Sequence, residues 1–400
     1  MSIYFETKSG KIIYDDNVNM LNYIDEMSVD TCISDFPYAI SFMGKEWDTK
    51  KNFYDWCKVR SDLIFRVLKH GGYAAIFGAP KTNHRLKCAF EDSGFLIVEE
   101  IDWIYLSGMP KNQDVGKMFD SIGNSELAIL YKDWKTSGLK PAHETITIFQ
   151  KPLEGTYVEN IKKYNCGAMN IGACRVPISK EDIDMINAKA SKNPTTTYQD
   201  KETKLYGDYA LDMAVPANPD GRFPPNIVLQ DNVTDLIDAE TGITKSSGGS
   251  GEASTVNRAR NIYGAYNQEQ NEHYHNDSLG GYGDVGGGSR LFPVFHYCTK
   301  VSPSERLLSN GERNPHVTLK PKELIKWLIK LLTPIEGFTI DVTAGSCTHA
   351  VACEELNIES NYKLKYVDIE LCNDELNPYC RVGKDRVQAV LNSVRKKKLF

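Results

Sequence analysis

The 400-residue chain is 41% hydrophobic, which is enough to bury one full α/β core and still carry an insert of smaller-domain size. Its formal net charge of -6 argues against a protein that coats nucleic acid nonspecifically, because phosphate binding needs concentrated lysine and arginine. The ten cysteines form no Cys-x-x-Cys pair, so the sequence predicts neither a disulfide framework nor a zinc site. No apolar run reaches the ~20 residues of a membrane span, so none is predicted.

The first 150 residues alternate between strand-like and helix-like patterns. Apolar, β-rich runs at residues 31–34, 73–78 and 145–149 predict strands, and they enclose amphipathic helical patterns around residues 52–68 and 82–92. Such alternation is typical of βαβ units, so we expect parallel strands in an α/β sheet.

The middle of the chain loses this regularity. From about residue 177 to 290 it is rich in Asn, Asp, Thr, Gly and Tyr, and it includes the loop-like run Lys245-Ser246-Ser247-Gly248-Gly249-Ser250-Gly251. We interpret residues 177–290 as an irregular insert with a flexible Gly/Ser-rich loop.

Regular α/β patterns return after the insert. Helices are predicted at residues 321–332 and around 350–356, and strands at 338–342 and 364–369. Both ends of the chain therefore belong to one doubly wound sheet. The predicted divisions are residues 1–176 and 291–400 for the two parts of this domain, with the insert between them.

The tetrapeptide Asp35-Phe36-Pro37-Tyr38 directly follows a predicted strand, where open α/β sheets bind ligands. An exocyclic amine on a nucleobase is a poor nucleophile, and a carboxylate and a backbone carbonyl that accept its two N–H bonds would hold the nitrogen in a more reactive geometry. Pro37 favours an extended conformation at Phe36, and Tyr38 offers an aromatic face to a flipped base. An ordinary strand-to-loop turn uses the same residue types, so the tetrapeptide alone leaves both interpretations open.

A second candidate site lies in the run Thr339-Ile340-Asp341-Val342-Thr343-Ala344-Gly345-Ser346-Cys347-Thr348. A strand that passes through small residues into a helix lets a cofactor approach the backbone, and an acid at the end of the next strand is placed to hold ribose hydroxyls. Glu370 is that acid. With one glycine where dinucleotide-binding loops have several, this pattern is weak by itself.

The chain also resembles a known family, the phage and prophage type of DNA amino-methyltransferase that makes N6-methyladenine or N4-methylcytosine. The matching segments follow the family's order and are Asp35-Phe36-Pro37-Tyr38, residues 42–48, Val67-Leu68-Lys69-His70-Gly71-Gly72, Ser107-Gly108-Met109-Pro110-Lys111, Leu139-Lys140-Pro141-Ala142-His143-Glu144, Gly167-Ala168-Met169-Asn170-Ile171, Gly221-Arg222-Phe223-Pro224-Pro225-Asn226 and His316-Val317-Thr318-Leu319-Lys320-Pro321.

The resemblance implies a Rossmann-like methyltransferase sheet, circularly permuted so that the catalytic tetrapeptide precedes the cofactor loop. It gives the target-amine role to Asp35, Phe36, Pro37 and Tyr38. It gives S-adenosylmethionine contacts to two groups of residues, one in the loop and the next strand and one elsewhere in the chain: Asp341, Thr343, Gly345, Cys347 and Glu370, then Asp16, Thr318 and Lys320.

The resemblance further implies that the protein binds double-stranded DNA through the insert, as the target-recognition region. No metal is implied, and no membrane partner. It places a soluble protein in the cytoplasm of a bacterial cell or a phage-infected host, and it leaves a homodimer or a partner subunit open.

Two motifs depart from the family pattern. Phe36 replaces the first of two usual prolines, and Val342, Thr343 and Cys347 replace the Pro, Phe and second Gly of the usual cofactor loop, while Asp368 replaces a customary glycine. We expect adenine N6 to be the target, because the family's adenine enzymes more often have aspartate than serine at the first tetrapeptide position, which is Asp35 here. Cytosine N4 methylation and a catalytically impaired DNA-binding relative are the alternatives, and an RNA substrate or a modified sulfonium cofactor is a further, weaker option.

Overall fold

The computed structural model describes residues 2–39, 52–106, 108, 110, 112–184, 187, 218–245, 285–295, 308, 311–316, 318–360, 362–375 and 377–397. The chain divides into two compact units. The first contains Met1–Cys174, Pro224–Thr234 and Phe292–Phe400, and the second contains Arg175–Phe223 and Asp235–Leu291. Among the described residues, no helix is both long enough and apolar enough to cross a membrane.

Ten described strands form one sheet in the first unit, in the order β1-β2-β12-β11-β3-β4-β6-β5-β7-β10. Their bounds are β1 Ser2–Glu6, β2 Gly10–Tyr14, β3 Val29–Asp35, β4 Leu68–Gly78, β5 Leu96–Ile104, β6 His143–Gln150, β7 Ile227–Gln230, β10 Val294–Phe295, β11 Phe338–Asp341 and β12 Lys365–Glu370. In the second unit, β8 Thr244–Lys245 pairs antiparallel with β9 Val285–Gly286.

The predicted α/β sheet is confirmed, and its central strands β12, β11, β3 and β4 are parallel. The expectation of parallel strands is wrong for β6, which is antiparallel to both of its neighbours β4 and β5, and for β1, which is antiparallel to β2. In the sheet, β6 lies between β4 and β5 and runs in the opposite direction to both. Consecutive strands such as β5 and β6 can pair antiparallel without a crossover connection. The strands β11 and β12 come from the C-terminal part of the chain, so the sheet has the permuted order that the resemblance implied.

The helices have the following bounds: α1 Phe53–Val67, α2 Asn83–Glu91, α3 Val115–Ser121, α4 Ser125–Leu130, α5 Tyr157–Tyr164, α6 Asp231–Thr241, α7 Lys322–Leu332, α8 Thr348–Glu359 and α9 Tyr379–Lys397. A short 3-10 helix spans Asn17–Asn22. These confirm the four helices predicted from periodicity, at α1, α2, α7 and α8.

Two apolar cores lie on opposite faces of the sheet, because successive residues of a strand point to opposite sides. In β3, Cys32 belongs to the core that α1 and α2 cover, and Ile33 belongs to the core that α7 and α8 cover. Both faces of the central strands are therefore buried, which fixes the position of every residue at their carboxyl ends.

A buried ion pair joins α8 to β12. The Nδ1 atom of His349 lies 2.6 Å from Oδ1 of Asp368, and both side chains are at most 1% exposed. Burial alone would lower the pKa of His349, but Cys353 and Asp368 outweigh it and hold that pKa well above its usual value. Asp368, the residue that replaces a customary glycine, is therefore an internal partner of His349.

Breaking this pair should destabilise the fold. We expect Asp368→Asn to lower the free energy of unfolding by about 3–5 kcal/mol, because it leaves the charged His349 buried without its anion. Since the pKa of His349 is raised on folding, the loss should be greatest below about pH 6.5 and should shrink as the pH rises through the folded pKa. Urea denaturation measures it. As a control, Glu6→Gln removes an exposed pair with Lys11 and should cost at most about 1 kcal/mol; an equal cost for both changes would contradict the prediction.

Candidate active site

The site begins where β3 and β11 end side by side. These strands are parallel neighbours, so Asp35 and Asp341 reach the same edge of the sheet. The hydroxyl of Ser34 donates to Oδ1 of Asp341 over 2.7 Å and accepts the backbone N–H groups of Val342 and Thr343 over 3.2 Å each. The Thr343 hydroxyl in turn donates to the backbone carbonyl of Asp35 over 3.0 Å. These bonds fasten the tetrapeptide to the predicted cofactor loop.

Asp35 has one engaged and one free carboxylate oxygen. Its Oδ2 lies 2.5 Å from Nζ of Lys320. Its Oδ1 is buried and has no hydrogen-bond partner among the described residues. Burial raises the pKa of Asp35, and the neighbouring Lys320 opposes that rise. A buried acceptor without a donor is costly, so Oδ1 is suited to receive an N–H from a ligand.

The other residues of the tetrapeptide have separate roles. The Phe36 ring is 1% exposed and packs edge-on against Trp56 at 5.1 Å between centroids, so it fills the core where a proline would leave space. Among the described residues, no group donates to the Phe36 carbonyl. Pro37 follows Phe36 in the chain. The hydroxyl of the next residue, Tyr38, donates to Oε2 of Glu144 over 2.8 Å. Among the described residues, Asp35 Oδ1 thus has no hydrogen-bond partner and the Phe36 carbonyl accepts no backbone N–H.

The predicted cofactor loop is held by β12, the strand that follows it in the chain. Gly345 has a φ of +54°, and a Cβ at this position would collide with the imidazole of His316. Its N–H donates to Oε2 of Glu370 over 2.6 Å, and the N–H of Cys372 donates to Oε1 over 2.8 Å. Burial raises the pKa of Glu370 to about 7. The carboxylate shapes the loop, and each of its oxygens retains a second lone pair for a ligand hydroxyl.

The acid at the loop's entrance, Asp341, is also perturbed. Burial, together with the nearby charge of Asp368, raises the pKa of Asp341 to about 7. Hydrogen bonds from Ser34 and from the Thr343 N–H stabilise its ionised form. Three carboxylates therefore surround the loop and the tetrapeptide, and each is held by donors from the chain.

Asp16 lies in the segment that follows β2. Its carboxylate accepts the N–H of Val18 over 3.1 Å, which caps the 3-10 helix, and it lies 3.4 Å from Nη2 of Arg60. The preceding residue, Asp15, donates its N–H to the Glu370 carbonyl over 3.1 Å. Backbone pairing thus brings Asp16 to the same sheet edge as Glu370.

One cleft, open to solvent, is bordered both by Asp35 of the tetrapeptide and by the predicted cofactor loop. Its walls include Asp35, Asp341, Thr343, Gly345 and Thr318. A second hollow shares Thr318, Leu319 and Lys320 with the first, and its other walls are Tyr38, Trp103, Tyr105, Glu144 and Gln230. Asp35 therefore lines the same cleft as five of the residues predicted for the cofactor: Thr318, Lys320, Asp341, Thr343 and Gly345. Tyr38 lines the second hollow, whereas Asp16, Cys347 and Glu370 line neither.

Cys347 lies behind this cleft. Its backbone is left-handed, with φ 56° and ψ 47°, which is the conformation that favours glycine. The side chain is fully buried, and its sulfur fills the space beside Gly383 of α9, where a Cβ would collide with it. The cysteine is thus accommodated by a glycine in a neighbouring helix.

Sequence reasoning missed two residues of the site. The sequence indicates Ser34 only as part of a strand, although its place directly before Asp35 is an available signal. Glu144 belongs to a segment that matches the family and carries no predicted role, and the structure places its carboxylate 3.5 Å from Nζ of Lys320. Lys320 itself, predicted at the cofactor's methionine end, contacts both acids. The segment 42–48 lies outside the described residues.

The contact between Cys347 and Gly383 can be tested by a double-mutant cycle. Gly383→Ala should destabilise the native protein by about 1–3 kcal/mol, because the added Cβ overpacks against the Cys347 sulfur. In a Cys347→Gly background the same change should be neutral or stabilise by up to about 1 kcal/mol, because alanine favours helix over glycine. The free energy of unfolding in urea measures all four proteins. Additive effects would show that the two residues do not interact.

Comparison with known proteins adds independent information. The model of a family described as DNA methylase, the N6/N4 methyltransferases, matches residues 29–374. The type II methyltransferase M.HindIII of Haemophilus influenzae is 26% identical over 194 residues, covering 39% of this chain and 63% of that protein. The type II methyltransferase M.BamHI of Bacillus amyloliquefaciens is 33% identical over 84 residues, covering 20% of each chain. The chain thus spans less than two thirds of the length of either relative.

Solved structures of similar proteins include the cytosine-N4-specific PvuII DNA methyltransferase, with 13% identity, a TM-score of 0.46 and coverage of 98% of this chain and 95% of that one. Another is the M1.HpyAVI–SAM complex, with 12% identity, a TM-score of 0.39 and coverage of 94% and 99%. The family match spans the tetrapeptide, the predicted cofactor loop and the strands from β3 to β12. The chain therefore belongs to the N6/N4 DNA methylase family.

Proposed function

We propose that this protein transfers a methyl group from S-adenosylmethionine to the exocyclic amine of a base in double-stranded DNA, with adenine N6 as the preferred target. The observation that carries the proposal is the single cleft lined both by Asp35, with its free Oδ1, and by the loop from Thr343 to Ser346. A methyl donor and an acceptor amine must meet in one place, and this cleft is bordered by candidate groups for each.

The residues of the cleft fit the proposed cofactor. The loop around Gly345 turns tightly before the start of α8 and leaves no room for a side chain at Gly345, where a Cβ would meet His316. Glu370, 8% exposed, retains acceptor capacity for ribose hydroxyls, and Asp16 is brought to the same edge through Asp15.

The chain's own groups then account for the chemistry. When bound, S-adenosylmethionine supplies the methyl group from a sulfonium sulfur, which keeps the electron pair of the broken bond. Asp35 Oδ1 and the Phe36 carbonyl accept the two N–H bonds of the amine and direct its lone pair at the methyl carbon. As the nitrogen forms its new bond it loses a proton to Asp35, whose burial-raised pKa suits it to accept one, and the proton then passes to water.

The base is assigned on a narrower argument. Asp35 at the first tetrapeptide position favours adenine N6 by resemblance, whereas cytosine N4 offers the same two N–H donors to the same acceptors. We further propose that the insert at residues 177–290 reads the DNA sequence. The buried fit of Cys347 against Gly383 favours an intact loop over an impaired one.

The direct test uses radiolabelled S-adenosylmethionine with mixed-sequence DNA, followed by identification of the labelled nucleoside. We expect label in N6-methyladenine. Asp35→Ala should lower the rate of methyl transfer at least about 10²–10³-fold, because it removes a transition-state acceptor, and it should leave the dissociation constant for S-adenosylmethionine within about threefold in calorimetry.

The exposed acid Asp25 provides a matched control, and Asp25→Ala should retain both the wild-type rate and the wild-type affinity. Label in N4-methylcytosine would show that the target base is cytosine and not adenine. An absence of both binding heat and label would establish the impaired relative, and a fully active Asp35→Ala protein would overturn the assignment of Asp35.

A further inference from the structure

Lys320 lies between two carboxylates. Its Nζ is 2.5 Å from Oδ2 of Asp35 and 3.5 Å from Oε2 of Glu144, and its side chain is only 8% exposed. The ammonium also lies over the rings of Tyr38 and Phe77, at 5.3 and 5.1 Å from their centroids. The position is therefore enclosed by anions and aromatic faces, which together offset the cost of burying the charge.

This geometry determines which oxygen of Asp35 is free. Lys320 binds Oδ2, so Oδ1 is left without a partner among the described residues. The same ammonium lies beside the Glu144 oxygen that accepts the Tyr38 hydroxyl over 2.8 Å. One cation thus connects the acceptor for the amine with the aromatic residue three positions later.

We propose that Lys320 is a positioning residue for the amine-binding carboxylate: it orients Asp35 so that Oδ1 faces the target nitrogen, and through Glu144 it fixes the Tyr38 ring. This inference rests on the proposed methyl transfer. It differs from the role that family resemblance implies for Lys320, which is contact with the methionine end of the cofactor.

The charges around Asp35 support this role. The ionisable groups around it are Lys320, Glu144, Tyr38 and Asp341, with His316 and His349 on the cleft wall. Burial raises the pKa of Asp35, Lys320 lowers it and Glu144 raises it. Since only the ionised carboxylate accepts two donors without giving one up, removal of Lys320 should impair catalysis most at low pH. A cofactor carboxylate bound at Lys320 would instead have to share its cation with two acids.

The experiment compares Lys320→Met with two other variants. Lys320→Met should lower kcat by about 10²-fold near neutral pH and move the acid limb of the kcat profile to higher pH, with the S-adenosylmethionine dissociation constant within about threefold of wild type. Glu144→Gln should move the acid limb the opposite way. Lys326→Met removes another buried lysine, which lies on α7 and pairs with Glu355 of α8 at 2.6 Å. This control should leave the pH profile of kcat unchanged.

A readout independent of activity is the titration of the Asp35 carboxyl carbon by ¹³C NMR in protein without ligands, assigned with Asp35→Asn. Its midpoint should rise in Lys320→Met and fall in Glu144→Gln. If the wild-type protein methylates no DNA, the proposed function fails, while this titration still decides the role of Lys320. An unmoved midpoint, or a large loss of cofactor affinity with an unmoved acid limb, would overturn the inference; if Lys320→Met does not fold, Glu144→Gln alone gives the decisive direction.

Discussion

The organisation of the candidate site depends on the hydrogen bonds of the Ser34 hydroxyl. It donates to Asp341 and accepts two backbone N–H groups of the cofactor loop, all within 3.2 Å. Ser34 belongs to β3 and Asp341 to β11, which are far apart in sequence and adjacent in the sheet. The tetrapeptide and the predicted cofactor loop come from distant parts of the sequence, and this junction joins them.

A second constraint is the concentration of acids at this edge of the sheet. Asp35, Asp341 and Glu370 all have raised pKa values, with burial as the leading cause. Each is stabilised differently: Asp35 by Lys320, Asp341 by Ser34, and Glu370 by the backbone N–H groups of Gly345 and Cys372. Such buried charges are costly, so the arrangement is explained better by binding and catalysis than by stability.

Much of this organisation could be predicted from the sequence. Periodicity located the central strands and helices, because β3, β4 and β11 contain short β-rich runs and α7 is strongly amphipathic. The direction of β6 could not be predicted, since an apolar run has the same pattern whichever way its neighbours run. The segment from β5 to β6 also contains α3 and α4, whose short helices carry little buried apolar surface to reveal them.

The sequence could predict the site residues at the strand ends, but not the side chains that they contact. Asp35, Gly345 and Glu370 follow apolar runs, which is a local signal. The contacts of Lys320 with Asp35 and of Cys347 with Gly383 join residues that are distant in sequence, and one sequence holds no record of such pairs. Asp368 illustrates the same limit, because its departure from the family pattern is explained only by His349 beside it.

The most direct test of the account is to remove the Ser34 hydroxyl and measure both halves of the site together. Ser34→Ala should weaken S-adenosylmethionine binding in calorimetry and slow single-turnover methyl transfer at saturating cofactor, each by at least about tenfold, because lost hydrogen bonds of about 1.4 kcal/mol or more release both the loop and the tetrapeptide. A Ser34→Ala protein that folds and retains the wild-type affinity and rate would contradict the claim that this junction assembles the site.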